Sequence, residues 1–368
     1  MAAIRLHLPA AAPSGADRSY DISVGRGVLP TVGSAVRSAG GRRAVVIADA
    51  AVAATHAAAV EASLQAAGVE VATLLVRSGE GSKSIAEAGR LWDALAAHAV
   101  DRRTHVIAVG GGVVGDLAGF VAATFGRGLA CWQVPTTLVA QVDSAIGGKT
   151  GINLPAGKNL VGAFWQPRGV VADIDTLATL PTREFVSGYA EVVKYGMILD
   201  AAFFGWLEGN VEPLLAREPS ALIHAVERSA ALKAGVVERD EREMTGLRAV
   251  LNYGHTFAHA YETAAGYGTL LHGEAVAIGM ARAARLARAL GRISDDVVAR
   301  QDRLLRGLGL PIEPPAGMVM PVEDLLAIMG RDKKTVGGEL RFVLPSRIGH
   351  VELVDGVPAD LVRQAMVG

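Results

Sequence analysis

This chain of 368 residues has one cysteine, few aromatics and almost no net charge. Each shortage excludes something. A lone thiol, Cys131, cannot build a disulfide framework and fits a reducing compartment; its apolar neighbours mark it as a buried, inert side chain. Lysine and arginine number 36 against 37 aspartates and glutamates. No basic field is therefore available to attract nucleic acid or an acidic membrane surface. No apolar run reaches the ~18 residues of a membrane-spanning helix. The first 25 residues lack a basic stretch followed by an unbroken apolar core, so no signal peptide is expected. Aromatics make up 5% of the chain while 51% is hydrophobic, mostly alanine, valine and leucine, and glycine is abundant. That mix favours an α/β or α-rich protein, and the length allows about two domains. The expectation is a cytoplasmic enzyme acting on a small molecule, with no nucleic-acid or membrane partner.

What is present divides near residue 180. In the first half, segments 4–8 and 20–24 read as a strand pair at a sheet edge. Residues 43–48 (RAVVIA) form a continuous apolar run, as in a strand buried on both faces. Asp49 stands at its C-terminal end, where ligands bind in open α/β sheets. A helix is predicted over 51–67 and a strand over 69–76. A polar loop with Glu80 and Lys83 follows, then a helix over 84–97 whose Ser84 and Glu87 have capping-box spacing. Strand 105–109 runs into Gly110-Gly-Gly-Val-Val-Gly-Asp116. Its glycines match G-x-G-x-x-G, whose helix-terminal N–H groups suit a pyrophosphate. The acidic residue usual about 20 positions later is missing, so any dinucleotide site is a variant one. A helix is predicted over 116–125, ending at Gly126 with Arg127 just beyond.

The densest chemistry lies in residues 133–167, QVPTTLVAQVDSAIGGKTGINLPAGKNLVGAFWQP. A strand over 129–134 precedes it. Thr136, Thr137, Asp143, Lys149, Lys158 and Asn159, spaced by glycines, read as a long ligand-binding loop for an anionic, hydroxyl-rich molecule. Strand 169–173 and a polar exit loop, Thr176 to Thr179, complete this half.

From residue 181 the periodicity is helical, over 183–199, 201–209, 219–239, 255–265, 272–289, 295–308 and 321–331, with a late strand over 340–344. Glu191 and Lys194 share a helix face, as do His255 and His259. His272 opens another helix. A carboxylate and two imidazoles on separate elements suit zinc with an open coordination position. Spacing alone leaves open whether both His255 and His259 are ligands or one is a base. A cleft between the two halves is the natural place for an active site.

Taken in order, GGGVVGDLAGFVAATFGRG, the 133–167 stretch, AEVVKYG, LNYGHTFAH, LHGEAVAIGM and DKK…RFVLP resemble the 3-dehydroquinate synthase family of sugar-phosphate cyclases over residues 47–349. Tyr253 and Ala258 stand where that family often has Phe and Gly. The resemblance implies an α/β N-terminal NAD-binding (Rossmann-like) domain, residues 1–180, plus an all-α C-terminal metal-binding domain, residues 181–368, in a homodimer. It implies a metal held by Glu191, His255 and His272, zinc normally and cobalt as an alternative. NAD contacts would come from Asp49, Glu80, Lys83, the turn Gly112, Val113, Val114, Gly115 and Asp116, Thr136, Thr137, and the loop Thr176, Leu177, Ala178 and Thr179. Lys149 would face substrate and also reach the cofactor, with Lys158 and Asn159 where the two meet. Asp143, Lys194, Lys233, Glu243, Arg248, Asn252, His259 and a lysine of the Asp-Lys-Lys segment, Lys334 or Lys333, would face substrate. Arg127 would reach a neighbouring subunit's site.

The implied reaction converts 3-deoxy-D-arabino-heptulosonate 7-phosphate to 3-dehydroquinate and phosphate, in the shikimate pathway. It proceeds by transient oxidation with NAD, β-elimination of phosphate, re-reduction and intramolecular aldol closure. Competing readings are another sugar-phosphate cyclase, a metal-dependent polyol dehydrogenase, which has no need of the cationic set, and a catalytically silent NAD- or metal-binding protein.

Overall fold

A computed structural model describes residues 1–8, 17–266, 268–315, 318, 320–332 and 340–367. They form two compact units, 1–180 with 222–242, and 181–221 with 243–368. Sequence alone put all of 181–368 in one domain; contacts assign 222–242 to the first unit instead.

The first unit opens with β1 (Ala2–Leu6), β2 (Tyr20–Gly25) and α1 (Thr31–Ser38). Next come β3 (Arg43–Asp49), α2 (Ala58–Ala66), β4 (Glu70–Val76), α3 (Ile85–Ala97), β5 (Thr104–Gly110), α4 (Gly112–Thr124) and β6 (Ala130–Pro135). A hairpin of β7 (Lys149–Leu154) and β8 (Gly157–Phe164) precedes β9 (Gly169–Asp173). Seven strands make one sheet in the order β1-β2-β9-β6-β5-β3-β4, parallel except for β1 at the edge. Burial explains the apolar runs. Val45 and Ile47 of β3 join a core with α3 and α4, while Ala44, Val46 and Ala48 join another with α1 and α2. Strands covered on both faces read as unbroken apolar segments. Since β4 and β5 flank β3 on opposite sides, the chain reverses its winding there. The carboxyl ends of β3 and β5, Asp49 and Gly110, thus bracket the switch point where open α/β sheets take ligands.

Three expectations change here. The helix over 51–67 begins as a 3₁₀ turn at Ala50–Val52 and a π turn at Ala53–Ala57 before α2. Helix α4 starts at Gly112, not Asp116, so the glycine turn is itself its first turn. Tight packing explains the glycines: a Cβ on Gly115 would lie 2.8 Å from Gln133 Oε1, and one on Gly119 2.4 Å from Thr150 Cγ2. Finally, residues 133–167 are not one irregular loop. Ala140–Ser144 is a π turn, and the later residues form the β7–β8 hairpin. The alternation in TGINL and NLVGAF carries the hairpin, but the intervening glycines and lysines hide it.

The second unit contains α5 (Thr182–Leu199), α6 (Ala201–Gly209) and α7 (Val211–Leu215). Helix α8 (Pro219–Arg239) leads out of it. Then come α9 (His255–Ala265), α10 (His272–Ala289), α11 (Asp295–Gly307), α12 (Val322–Asp332), β10 (Phe342–Arg347), β11 (His350–Val354) and α13 (Ala359–Val367). Every helix expected in this half is present, with ends shifted by at most a residue. "All-α" needs one correction: β10 and β11 pair as an antiparallel hairpin. Gly349 at its turn donates its N–H to the Met197 carbonyl of α5, and the Phe342 ring packs tilted against that of Phe257 of α9, centroids 5.4 Å apart. Helices α5, α9 and α10 form the buried centre. A Cβ on Gly273 would fall 1.8 Å from the Ser187 carbonyl oxygen, and one on Gly279 2.2 Å from that of Gly254. Only glycine permits α10 to lie so close to both neighbours.

Candidate functional site

In the first unit the expected cofactor residues gather around the switch point. Asp49 Oδ1 accepts from the Ala51 N–H at 2.9 Å and from the Ser78 hydroxyl, closing the strand end. Lys83 is buried. Its ammonium donates to Asp116 Oδ2 at 2.7 Å and to Asn159 Oδ1 at 2.5 Å, and lies 3.9 Å from Glu80 Oε1. Burial holds the Asp116 carboxyl above its usual range, although Lys83 and Lys233 pull it down. Asn153 closes the network, donating to Glu80 at 2.7 Å and accepting from the Asn159 N–H at 2.9 Å. Asn159 needs that support, because its φ is +56°. The α4 turn Gly112 to Asp116, with Val113 and Val114, presents main-chain N–H groups at the same strand end.

Thr136 donates its N–H to the Gly110 carbonyl at 2.9 Å. Thr137 Oγ1 accepts from the Ala140 N–H. The 176–179 segment is a 3₁₀ turn rather than a loop, within Ile174–Thr179. Buried Gln141 donates to the Pro135 and Asp173 carbonyls and to Thr176 Oγ1, tying β6, β9 and this turn together. His56, turned inward on the π turn, meets Thr179 Oγ1 at 2.7 Å. Leu177 is buried beneath, and Ala178 exposed. Lys149 is exposed at the start of β7, and Lys158 half-buried on β8. Lys233 of α8 is clamped on Asp143, 2.9 Å from its carboxylate and 2.8 Å from its carbonyl. Arg127 is exposed, with φ +67°.

In the second unit three helices bring Glu191, His255 and His272 together, with donor atoms within 4.8 Å of one another. Glu191 comes from mid-α5 and is fully buried, while the histidines open α9 and α10. His255 Nε2 lies 3.6 Å and His272 Nε2 3.3 Å from the same oxygen, Glu191 Oε1; the other oxygen pairs with Lys194. Each Nδ1 has an acceptor behind it: the Tyr253 carbonyl at 3.2 Å for His255, and Glu262 at 3.4 Å for His272. Both acceptors require a protonated Nδ1, which leaves each Nε2 facing Glu191 as the ring nitrogen a metal would take. Burial, helped by Lys194, pushes His255 down to about 3, so its imidazole is neutral. Burial also opposes charge on His272, but hydrogen bonds to Glu191 and Glu262 outweigh it and raise it to about 10. Two ring nitrogens and a carboxylate oxygen converging on one point fit a divalent metal, which would displace the His272 proton.

His259 lies one turn along α9, exposed, its ring 5.7 Å from that of His255. Arg248 is buried with Nε 3.7 Å from Glu243, and exposed Asn252 closes the 3₁₀ turn Leu247–Asn252. Lys333 and Lys334 lie outside the described residues. Sequence reasoning missed Asn153, Gln141, His56 and Glu262. Only Glu262 had a signal: it follows His255 by seven residues, two turns along the same face. The other three act through contacts distant in sequence.

A parallel sheet with a glycine turn at its switch point and, in the helical unit, a Glu–His–His donor set define a class: a nucleotide-fold protein with a candidate metal centre. Two family models match consecutive stretches, 3-dehydroquinate synthase N-terminal at residues 73–187 and 3-dehydroquinate synthase C-terminal at residues 188–335. A 3-dehydroquinate synthase of Rhodopirellula baltica is 49% identical over 358 residues, covering 95% of each chain. The chain belongs to the 3-dehydroquinate synthase family. Among solved structures, a 2-deoxy-scyllo-inosose synthase complexed with carbaglucose-6-phosphate, NAD⁺ and Co²⁺ superposes with a TM-score of 0.88 at 27% identity, covering 99% of both chains. A 2-epi-5-epi-valiolone synthase from Streptomyces hygroscopicus, with NAD⁺ and Zn²⁺ bound, gives 0.87 at 28% identity over 98% of both.

Proposed function

We propose that this chain catalyses the 3-dehydroquinate synthase reaction, converting 3-deoxy-D-arabino-heptulosonate 7-phosphate to 3-dehydroquinate and phosphate, with NAD and a divalent metal, zinc or cobalt. The observation that carries the reading is the converging donor set of Glu191, His255 and His272 in a chain of this family. When bound, NAD supplies the transient oxidation and its reversal, and the metal acidifies and polarises the substrate oxygens it touches.

The chain's own residues do the rest. Asp49, Glu80, Lys83, the 112–116 turn, Thr136, Thr137 and the 176–179 turn hold the cofactor at the switch point. The first-turn N–H groups of α4 suit its pyrophosphate. Glu191 Oε1, His255 Nε2 and His272 Nε2 hold the metal. Exposed His259 accepts a hydroxyl proton and returns it. Lys149, Lys158, Asn159, Lys194, Lys233, Arg248, Asn252 and a lysine at 333 or 334 bind the anionic, hydroxyl-rich substrate, with Asp143 and Glu243 orienting the cations they touch. Phosphate itself removes the proton in its own elimination, so no protein base is assigned to that step. A cytoplasmic homodimer, in which Arg127 serves the neighbouring chain's site, belongs to the same proposal; family resemblance supports it. Among the described residues no helix is long and apolar enough to cross a membrane.

The test is phosphate release from the heptulosonate phosphate, with and without a chelator. Release that needs added NAD only in trace and stops on chelation is expected. No release from this substrate, with release from glucose 6-phosphate or sedoheptulose 7-phosphate instead, would overturn the substrate assignment.

A further inference from the structure

Three ligands do not aim themselves. The His255 ring is held by main chain, its Nδ1 donating to the Tyr253 carbonyl. His272 has no such anchor, and its side chain is 40% exposed against 13% for His255. Its Nδ1 instead faces the carboxylate of Glu262. We infer that Glu262 is a positioning residue for the metal site: it accepts the His272 Nδ1–H, fixing the tautomer and ring plane that present Nε2 to Glu191. The inference rests on the metal reading above.

Two further observations support it. Glu262 is 7% exposed, and a carboxylate is seldom buried so deeply without a task for its charge. The charge also has a use. Lys194 neutralises Glu191, so the ligand set alone brings a dication no net negative charge. Glu262 supplies one within hydrogen-bond reach of a ligand, as carboxylates behind metal-bound histidines do.

The experiment measures zinc affinity of metal-stripped protein by competition with a chromophoric chelator, alongside the visible absorption of the Co²⁺-loaded form and the thermal unfolding of the metal-free form. Variants are E262L, E262Q and E262D. Glutamine keeps an acceptor oxygen in place; leucine removes it; aspartate withdraws it by one methylene. We expect E262L and E262D to bind zinc about 10- to 100-fold more weakly, with an altered cobalt spectrum and an unfolding midpoint like that of the unmodified protein. E262Q, which keeps the acceptor and loses only the charge, should bind zinc more tightly than E262L and restore the parent spectrum. If leucine prevents folding, aspartate carries the comparison. Unchanged zinc affinity in E262L or E262D would overturn the inference. So would an E262Q as weak as E262L, because charge alone would then be acting. An unmodified protein that binds no zinc would instead overturn the metal reading.

Discussion

Replacing Gly273 by alanine should disable the metal centre without touching a ligand. The added Cβ would sit 1.8 Å from the Ser187 carbonyl oxygen, 2.6 Å from its carbon and 2.7 Å from its hydroxyl oxygen. Two of these three atoms are main chain of α5 and cannot rotate away. Reaching even the 3.0 Å that real Cβ contacts respect requires α10 to retreat by 3.0 − 1.8 = 1.2 Å. The Gly273 N–H bond to Ser187 Oγ, 3.1 Å long, would stretch with it. Gly273 is bonded to His272, and Ser187 stands one turn before Glu191, so the displacement opens the ligand set almost directly. Metal sites tolerate ligand errors of about 0.2 Å, and the shift is several times that. Overpacking of this kind also costs ~1–3 kcal/mol in stability. We expect zinc affinity, read by chelator competition, to fall at least about tenfold, or ~1.4 kcal/mol, and the unfolding midpoint to drop by several degrees. Gly205→Ala in α6, with nothing within 4 Å of its added Cβ, is the control: it should leave zinc affinity unchanged and should not lower the unfolding midpoint. A Gly273→Ala protein with parental zinc affinity and unfolding midpoint would refute the close-approach reasoning.

Other outcomes follow from the same geometry. Lys83→Met should destabilise the first unit at neutral pH by roughly 1–3 kcal/mol, because it strips the cation from a largely buried carboxylate. The Asp116 carboxyl is already raised above its ordinary 3.8, so whatever stability its protonation confers is complete below 3.8 and lost as pH rises through the folded value. The penalty, measured by denaturant unfolding, should therefore be smaller at pH 4 than at pH 7; a penalty independent of pH would contradict the assignment. Because the proposed reaction regenerates its oxidant, trace NAD should support many turnovers, and stoichiometric NADH followed at 340 nm would point to a simple dehydrogenase. Should the proposed dimer share sites through Arg127, mixing inactive Arg127→Ala and His272→Ala proteins should restore part of the activity; a subunit-exchanging mixture without rescue would dismiss that assembly.

Much of the fold could be read from residue patterns, and the exceptions have physical causes. Strands β3 and β5 are covered on both faces, so their apolar runs are unmistakable. The second-half helices carry strong periodicity. The β7–β8 hairpin was obscured because glycines and lysines interrupt its alternation. That residues 222–242 pack with the first unit is not legible in the sequence, because α8 is one continuous helix and helical periodicity says nothing about which core receives it. Local spacing pointed to Glu191, His255 and His272 as candidates but left His259 competing with His255. The structure separates them: the Nε2 atoms of His255 and His272 face one carboxylate oxygen, whereas His259 lies on the next turn, exposed. Gln141, Asn153 and His56 were illegible because each works across segments far apart in the chain.

The two histidines are anchored by different kinds of atom, and this bears on how such a centre can change. The acceptor behind His255 is a peptide oxygen, which no codon encodes and no point substitution deletes. The acceptor behind His272 is a side chain, and one nucleotide change can convert glutamate to glutamine or aspartate. One half of the site is therefore inherited with the backbone, and the other is open to adjustment. Position 262 is where mutation, natural or in a library, could grade the hold on metal in steps while leaving all three ligands in place.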